Sequence, residues 1–307
     1  MDKATVIIPC YNVEAYILEC LESVVLQGDI VHHTYVVDNN STDDTVGKVR
    51  EWKNDHPNVP LTLLSETNPG APAARNFPLA RVETKWIQFL DADDLLLPRK
   101  ISEQILQFPE ADVICAASQH LTIEGERRLS APRTTIPIGL MEGEAGNTCA
   151  NLFSLRSIES VNGWDESLKS SQEYDLMFRI WQTGASFEVD LTPRALIRER
   201  PSGQISQGNL AENWTRLIQL RERMLTAFIE NSAMNDHQKS ELCQSFFDKL
   251  RILAKHDLSA ALNHFHRVLK PISFTPRPSE TTTATYILLF RILGFDGAER
   301  IKRALRM

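Results

Sequence analysis

The chain has 307 residues, of which 42% are hydrophobic and 24% charged, and its net charge is −7. This ordinary composition excludes a disordered chain, a collagen-like chain and a disulfide miniprotein. The acidic balance also argues against a nucleic-acid partner, because such a partner needs lysine and arginine side chains facing its phosphates.

The five cysteines are spread widely along the chain and form no Cys-x-x-Cys pair. They predict buried thiols in a reducing, cytoplasmic compartment rather than disulfides or a zinc site. No secretory signal is expected, since the first twenty residues lack a basic region followed by an apolar one. No apolar run approaches the ~20 residues that a membrane span requires.

Short apolar runs alternate with helical patterns over the first 115 residues. Strands are predicted at residues 5–8, 34–37, 61–64, 86–90 and 112–115. Amphipathic helices are predicted at residues 13–27, after Ser41, near 71–82 and near Pro98. This alternation predicts an α/β fold with a mostly parallel sheet flanked by helices.

The pattern changes in the second half of the chain. Residues 120–160 resemble loops and short strands, and a helix is predicted around Leu176 and Ile180. Long helices follow from about residue 211, and a Pro/Thr-rich linker at 271–285 precedes a last helical pair. We therefore expect one domain at residues 1–205 and a helical C-terminal region at 206–307.

Polar clusters fall where predicted strands end, at residues 9–14, 38–43 and 91–94. In open α/β sheets ligands bind at the carboxyl ends of the strands, so these clusters should meet in one crevice. Asp91, Asp93 and Asp94 repel one another unless a cation lies among them, and Mg²⁺ or Mn²⁺ bridging a diphosphate would do so. The alternative is a helix cap with acids in its first turn. Their position directly after an apolar strand favours the metal.

Three other motifs carry a functional and a structural interpretation. Asp38 at a strand end is suited to bind a base or ribose, but its neighbours also fit a turn and a helix cap. Arg75 follows a turn at Gly70 and is suited to meet a phosphate or to brace an acidic loop. The alternative for that segment is a helix packed closely on the sheet.

The third motif is an acidic pair, Glu173 and Asp175, at the beginning of a predicted helix. Both residues could cap that helix, or one could be a general base. Asp175 precedes Arg179 by four residues, and this spacing predicts an ion pair within the helix. Glu173 is therefore the candidate base.

Taken together, the motifs resemble those of family 2 glycosyltransferases, which have the GT-A fold. The resemblance covers about residues 3–200. Its matching residues are 6–12 with Glu14 and Tyr16, then Ser23, Val24 and Gln27, followed by 37–45, 68–70, 74–76, 89–94, 163–168, 172–176 and Arg179. It implies a transferase that uses a nucleotide-sugar donor, inverts the anomeric centre and needs a divalent metal, Mn²⁺ or Mg²⁺.

The resemblance also implies a role for individual residues, which together bind the nucleotide sugar. Pro9, Tyr11 and Glu14 are expected beside the base and ribose. Asp38 would hydrogen-bond the base, and Arg75 would support the nucleotide pocket. Asp91 and Asp93 form the Asp-x-Asp motif, in which Asp93 is the expected metal ligand.

Two positions depart from the family pattern. Glu173 stands where the family usually has an aspartate as its base, so the carboxylate is kept but its reach is longer by one methylene. Asn39 stands where the family often has a second acid. The first difference is expected to alter the geometry toward the acceptor, and the second weakens the case for a second carboxylate beside the nucleotide base.

The implied partners are a UDP-, GDP- or dTDP-sugar donor and a glycan or lipid-linked acceptor. Two other functions are compatible with an α/β fold of this kind. A nucleotidyltransferase making a sugar nucleotide would need a glycine-rich basic loop after the first strand, and residues 9–12 are not one. An inactive nucleotide-sugar-binding module would not need to retain Asp91, Asp93 and Glu173.

The C-terminal segment 284–306 combines apolar and basic residues, and residues 205–307 carry 15 basic and 10 acidic residues. Such a segment is able to lie in a membrane interface, which would place the protein peripherally at the inner face of the membrane. Alternatively it packs on the helices at 211–265, or on a partner subunit in a homo-oligomer. Its short helices and the acids Asp296 and Glu299 favour packing.

Overall fold

The structure is a computed structural model that describes residues 2–200 and 210–304. Side chains are described for residues 2–200 and 213–304. The chain divides into two compact units, Met1–Gly203 and Gln204–Met307. The expected boundary at residue 205 lies outside the described residues, as do Leu305 and Arg306 of the C-terminal segment. Within the described part, no helix is both long and apolar enough to cross a membrane.

The described strands form one twisted sheet in the first unit. They are Ala4–Cys10 (β1), Val31–Asp38 (β2), Leu61–Ser65 (β3), Trp86–Phe89 (β4), Leu95–Leu96 (β5), Val113–Leu121 (β6), Arg127–Ser130 (β7), Leu152–Ser154 (β8) and Phe187–Arg198 (β9). Their order is β3-β2-β1-β4-β8-β6-β9-β5, and β7 pairs with β6. The α/β architecture expected from the sequence is therefore confirmed.

Helices flank this sheet in the first unit and make up most of the second. The helices of the first unit are Ile17–Val25 (α1), Thr45–Asp55 (α2), Ala71–Asn76 (α3), Lys100–Gln107 (α4), Ile136–Glu142 (α5), Leu155–Glu159 (α6) and Gln172–Gln182 (α7). Those of the second unit are Leu210–Glu230 (α8), Asp236–His256 (α9), Leu258–His264 (α10) and Ala284–Ala304 (α11).

The first half of the sheet is parallel and brings the predicted clusters together. β1 lies between β2 and β4, and both neighbours run parallel to it. Almost every residue of β1 is buried, as is typical of strands covered on both faces. At the carboxyl ends Cys10 is paired with Asp38, and the amide of Leu90 donates to the carbonyl of Ile7 at 3.0 Å. The loops after these three strands are therefore neighbours.

The second half of the sheet is mixed, and here the sequence was less informative. β8 is antiparallel to both β4 and β6, whereas β9 runs parallel to β6. β6 continues to Leu121, and the region predicted as loops and short strands contains the short strands β7 and β8 together with two short helices, α5 and α6, that were not predicted. The prediction of one helix at 71–82 was also wrong. α3 ends at Asn76, two residues before Pro78, and a separate 3₁₀ turn follows.

The second unit has an aromatic core centred on Phe247 of α9. Its ring contacts the rings of Phe265, Phe274, Tyr286, Phe290 and Phe295. The buried Arg251 of α9 also donates through Nε to Oε1 of Glu299 at 3.0 Å. α11 changes direction at Gly294, whose φ is 67°. The described part of the C-terminal segment is α11, whose two helical stretches meet at Gly294 and pack on α9. Packing on the preceding helices was the alternative that the sequence favoured.

Candidate active site

The nucleotide-binding residues predicted at the ends of β1 and β2 lie side by side. Asp38 is 9% exposed and accepts a hydrogen bond from the Ser41 amide at 3.2 Å. Tyr11, just beyond β1, is 60% exposed. The amide of Asn39 donates to the carbonyl of Cys10 at 2.8 Å and so joins the two strand ends. An exposed tyrosine therefore follows β1 at the edge where β2 ends in a buried aspartate.

Glu14 lies in the same edge but is engaged with the start of α2. Its amide donates to Oδ2 of Asp43 at 3.0 Å, and its own Oε2 accepts from the Asp44 amide at 2.8 Å. Lys48 donates to its carbonyl oxygen at 2.9 Å. These reciprocal bonds fix the loop after β1 against the loop after β2. The expected role of Glu14 beside the nucleotide stays a prediction.

The structure explains why residue 39 is an asparagine and not an acid. Nδ2 of Asn39 donates to the carbonyls of Glu66 and Asn68 at 2.8 and 2.7 Å. Its Oδ1 accepts from the Gly70 amide at 2.7 Å. A carboxylate could accept from Gly70 but could not donate to two carbonyls. Asn39 therefore fixes the loop that leads into α3.

Arg75 of α3 joins the acidic loop to the Gly163-Trp164 motif. It is 5% exposed, donates through a guanidinium nitrogen to Oδ1 of Asp91 at 2.6 Å, and lies over the Trp164 ring at 4.5 Å. Asn76, one residue later, accepts from the Trp164 amide and donates to its carbonyl, both at 2.8 Å. The arginine thus braces the first acid of the Asp-x-Asp motif, one of its two predicted roles.

The other two acids of this loop also have cationic or polar partners. Oδ2 of Asp93 lies 2.6 Å from Nε of Arg200. Oδ1 of Asp94 accepts from the Arg198 amide at 2.8 Å, and its Oδ2 accepts from the Cys149 thiol at 3.2 Å. Burial, together with the neighbouring carboxylates, raises the pKa of Asp93 and raises that of Asp94 further. The ionised forms of these two carboxyl groups are therefore disfavoured so close to one another.

The donor atoms of this loop suit a divalent cation. Within the described residues, ligand atoms of Asp91, Asp94 and Cys149 lie within 4.8 Å of one another. Carboxylate oxygens are the ligands that Mg²⁺ and Mn²⁺ prefer. Asp93, the residue predicted as the metal ligand, is outside this group because its carboxylate faces Arg200. The loop fits a metal, and its ligand set remains a prediction.

Glu173, the candidate base, is half-buried in the first turn of α7. Oε1 accepts from Nδ2 of Asn151 at 3.3 Å. The pKa of Glu173 is raised to about 8, mainly by burial. The positive charge of Arg75 lowers this pKa, and the negative charge of Asp91 raises it further. A carboxyl group with such a pKa can exchange a proton near neutral pH.

The predicted ion pair in α7 is confirmed. Nε of Arg179 lies 2.7 Å from Oδ2 of Asp175, whose side chain is buried. Arg179 also donates to the carbonyls of Val161 and Gly163, each at 2.8 Å. This pair anchors α7 to the loop that carries Trp164, so Asp175 has a structural role and Glu173 remains the candidate base.

Several residues of the site were missed by the sequence reasoning. Thr148 and Asn151 bond to Glu173, and Cys149 contacts the loop at 91–94. Arg198 and Arg200, at and just beyond the end of β9, contact Asp93. These residues lie in segments without a recognisable motif, and they reach the acids only through the pairing of β8 and β9 in the sheet.

Comparison with known proteins decides the family. The family model for glycosyl transferase family 2 matches residues 5–164, which is just over half of the chain. The chain belongs to this family. The match includes all the predicted nucleotide-sugar-binding residues and ends at Trp164, so it stops before Glu173.

Relatives of this family 2 chain include several large synthases. It is 27% identical to Escherichia coli chondroitin synthase over 184 residues, which are 59% of this chain and 26% of that protein. It is 33% identical to the teichoic acid poly(glycerol phosphate) polymerase of Staphylococcus epidermidis over 137 residues, 44% of this chain and 19% of that protein. The chain thus spans about a quarter or less of the length of these two relatives.

Solved structures share the fold over nearly the whole chain. The structure of S. aureus TarS 1–349 in complex with UDP-GlcNAc matches with a TM-score of 0.67 at 16% identity, covering 99% of this chain and 91% of that TarS chain. The mannosyltransferase PcManGT from Pyrobaculum calidifontis, in complex with GDP-Man and Mn²⁺, matches with a TM-score of 0.55 at 18% identity, covering 99% and 87%. At these identities the likeness establishes the fold.

Proposed function

We propose that this chain transfers a sugar from a nucleotide-diphosphate donor to a hydroxyl group of a glycan or lipid-linked acceptor, with inversion at the anomeric carbon. One observation carries the proposal. Glu173, a carboxyl group with a pKa near neutrality, lies in the electrostatic field of the Arg75–Asp91 pair at the strand ends. Family membership and the named activities of the relatives support a glycosyl transfer.

The donor is proposed to bind across the ends of β1, β2 and β4. Pro9, Tyr11, Glu14 and Asp38 would surround the base and ribose, and Arg75 would support the nucleotide pocket. The exposure of Tyr11 just beyond β1, and the pairing of Cys10 with the buried Asp38 at the ends of β1 and β2, support this placement. The complexes of TarS with UDP-GlcNAc and of PcManGT with GDP-Man support a UDP- or GDP-sugar, and a dTDP-sugar is the other candidate.

Asp93 is proposed to hold a divalent metal, with Asp91 next to it in the Asp-x-Asp motif. The concentration of carboxylates in this loop and the Mn²⁺ in PcManGT support Mn²⁺ or Mg²⁺. When bound, such an ion neutralises the diphosphate as negative charge develops on it. Arg75 fixes the carboxylate of Asp91 and so shapes this pocket.

Glu173 is proposed to be the general base. Its ionised carboxylate accepts the proton of the acceptor hydroxyl while that oxygen forms its bond to the anomeric carbon. The bond from the anomeric carbon to the diphosphate oxygen breaks on the opposite face, and the diphosphate leaves with the electron pair. A single displacement of this kind inverts the configuration, and holding donor and acceptor together supplies much of the rate.

Residues 1–205 are proposed as the catalytic domain and residues 206–307 as a helical C-terminal region. The division of the chain into two compact units supports this assignment. All the proposed catalytic and nucleotide-binding residues lie in the first region. Five buried, free cysteines support a reducing, cytoplasmic compartment.

A peripheral membrane contact is proposed for α11. Leu288 and Ile292, one helical turn apart, are 59% and 69% exposed, and the exposed Arg291 lies between them in sequence. Arg300 and Arg303 are also exposed. Apolar side chains beside basic ones suit an anionic bilayer.

A donor screen tests the function. Thermal shift with UDP-, GDP- and dTDP-sugars, with and without Mn²⁺, identifies the donor because a ligand bound only to the native state raises apparent stability. Incubation with that donor and with acceptor saccharides should then release nucleoside diphosphate. Formation of nucleoside triphosphate from the sugar nucleotide and pyrophosphate would instead indicate a nucleotidyltransferase. Binding without turnover across all acceptors would indicate an inactive module.

A further inference from the structure

We propose that Asn151 is a positioning residue for Glu173, and that its side-chain amide holds the Glu173 carboxylate in its reactive orientation. The proposal rests on the proposed role of Glu173 as the base. Asn151 is fully buried, and its Nδ2 donates to Oε1 of Glu173 at 3.3 Å. A donor of this kind favours the ionised form of a carboxyl group, which is the form that accepts a proton.

The orientation of the Asn151 amide is fixed by the backbone around it. Its Oδ1 accepts from the Ala116 amide of β6 at 2.9 Å, and an NH₂ group could not replace it there. Nδ2 therefore faces away from β6, and it donates to the Ala145 carbonyl at 3.1 Å as well as to Glu173. The carboxylate is thus presented with a donor and not with an acceptor.

The backbone of the segment 149–151 is in turn anchored to the interior. The buried Lys100 donates to the carbonyl of Asn151 at 3.2 Å and also to the side chain of Gln88. Gln88 of β4 donates to the carbonyl of Cys149 at 2.9 Å, and Gln104 of α4 donates to that of Ala150 at 3.2 Å. A side chain supported in this way has little freedom to turn, which is what a positioning residue requires.

The same short segment also contacts the acidic loop. Sγ of Cys149 accepts from the Asp91 amide at 3.3 Å and donates to Oδ2 of Asp94 at 3.2 Å. Thr148 adds a second hydrogen bond to Glu173. Residues 148–151 therefore touch both the candidate base and the loop proposed to hold the metal, and they fix the placement of one relative to the other.

The chain leaves room for this arrangement at Gly146. Its φ of 78° lies in the left-handed region, and a Cβ atom there would come within 2.1 Å of Oδ1 of Asn151.

The titratable and charged groups that act on or with Glu173 are Arg75, Asp91 and Cys115. A change at position 151 removes none of them, so its effect on Glu173 can be measured separately.

The test compares Asn151→Ala with Gln27→Ala. Both changes remove a buried side-chain amide, but the hydrogen bonds of Gln27 go to Ser23, Leu97 and Ile101, whereas Asn151 donates to Glu173. Both variants should lose thermal stability and keep the donor KM. Only Asn151→Ala should lower kcat at neutral pH, by about tenfold or more, and move the rising limb of the kcat profile to higher pH by about one unit. An unmoved limb, with kcat equal in the two variants, would overturn the proposal.

Asn151→Asp provides the same readout if Asn151→Ala does not fold, since it keeps the size of the side chain and the acceptor for Ala116. The carboxylate that this change introduces beside Glu173 should move the rising limb of the kcat profile to higher pH by a larger amount than Asn151→Ala does. Glu173→Gln is measured alongside. If that variant keeps wild-type turnover and its limb, the base assignment fails and the proposal for Asn151 fails with it. If Glu173→Gln abolishes the rising limb of the kcat profile, and the Asn151 variants leave that limb at its wild-type pH, only the proposal for Asn151 fails.

Discussion

Nε of Arg200 lies 2.6 Å from Oδ2 of Asp93, so the last strand and the Asp-x-Asp loop are joined by an ion pair. The guanidinium of Arg200 also lies 5.6 Å from the centre of the Tyr16 ring. A metal ion bound by Asp93 and the guanidinium of Arg200 are both cations attracted to the same carboxylate. The two should therefore compete.

Replacement of Arg200 by alanine should strengthen Mn²⁺ binding several-fold in the absence of donor, because it removes the competing cation. Titration calorimetry with Mn²⁺ alone measures this. Arg156→Ala is the matched control: it removes the same charge from an arginine that pairs with Asp112, away from the site. Weaker Mn²⁺ binding by the Arg200 variant than by the control would contradict the competition.

Asp93→Asn should abolish the effect of Mn²⁺ on donor binding and reduce turnover severely while leaving the fold intact. The amide keeps the shape of the side chain but removes the negative charge that attracts the cation. Asp55→Asn changes the same charge at an exposed position near the end of α2 and should bind donor like the wild type. Donor affinity is measured by calorimetry with and without Mn²⁺. An unchanged Mn²⁺ dependence in the Asp93 variant would show that the metal is held elsewhere.

Glu173→Gln should retain donor binding and lose transfer by about 10²–10⁴-fold, since an amide cannot accept the proton. For the wild type, kcat/KM should rise with pH, reach half of its maximum near pH 8 and level off above that pH, following the pKa of Glu173 of about 8 in the free enzyme. The variant should lack this limb. A loss of only a few-fold, or a limb that persists, would argue against a general-base role.

The same variant should alter the pH dependence of stability. The pKa of Glu173 is raised from 4.5 to about 8, so the folded protein keeps a proton that the unfolded chain loses between these pH values. The free energy of unfolding of the wild type therefore falls through this window as pH rises. The Tm of Glu173→Gln, relative to that of the wild type, should increase from pH 4.5 to 8.

Local patterns in the sequence were enough to predict the parallel half of the sheet. Burial makes β1, β4 and the last part of β2 largely apolar, and polar residues follow each of these strands, so both the strands and the meeting of their ends were predictable. The Asp175–Arg179 pair was predictable as well, because it depends only on the spacing of residues along one helix.

Contacts between distant segments were not predictable in this way. Asn151 lies 22 residues from Glu173, and Arg198 lies 105 residues from Asp93. Their positions follow from the antiparallel pairing of β8 and from the parallel pairing of β9 with β6. Short strands such as β8 carry too few residues to show a period, so residues 120–160 gave no pattern that indicated these contacts.

The exposed face of α11 gives a separate prediction. The double variant Leu288→Ser and Ile292→Ser should lose binding to anionic vesicles at low salt. The control, Leu106→Ser with Leu129→Ser, alters leucines of the first unit that are 70% and 65% exposed and should bind like the wild type. Vesicle sedimentation measures binding, and sedimentation velocity measures self-association. A wild-type oligomer that the α11 variant dissociates, without vesicle binding, would assign this face to a second copy of the chain.

The most direct test of the account is the anomeric configuration of the product, measured by NMR as transfer begins, for the wild type and for Glu173→Gln. Given its donor, an acceptor and Mn²⁺, the wild type should form a glycoside of inverted configuration and release one nucleoside diphosphate for each bond formed, whereas the variant should form almost none. A product that retains the donor configuration, or one formed equally fast by Glu173→Gln, would contradict a single displacement with Glu173 as the base.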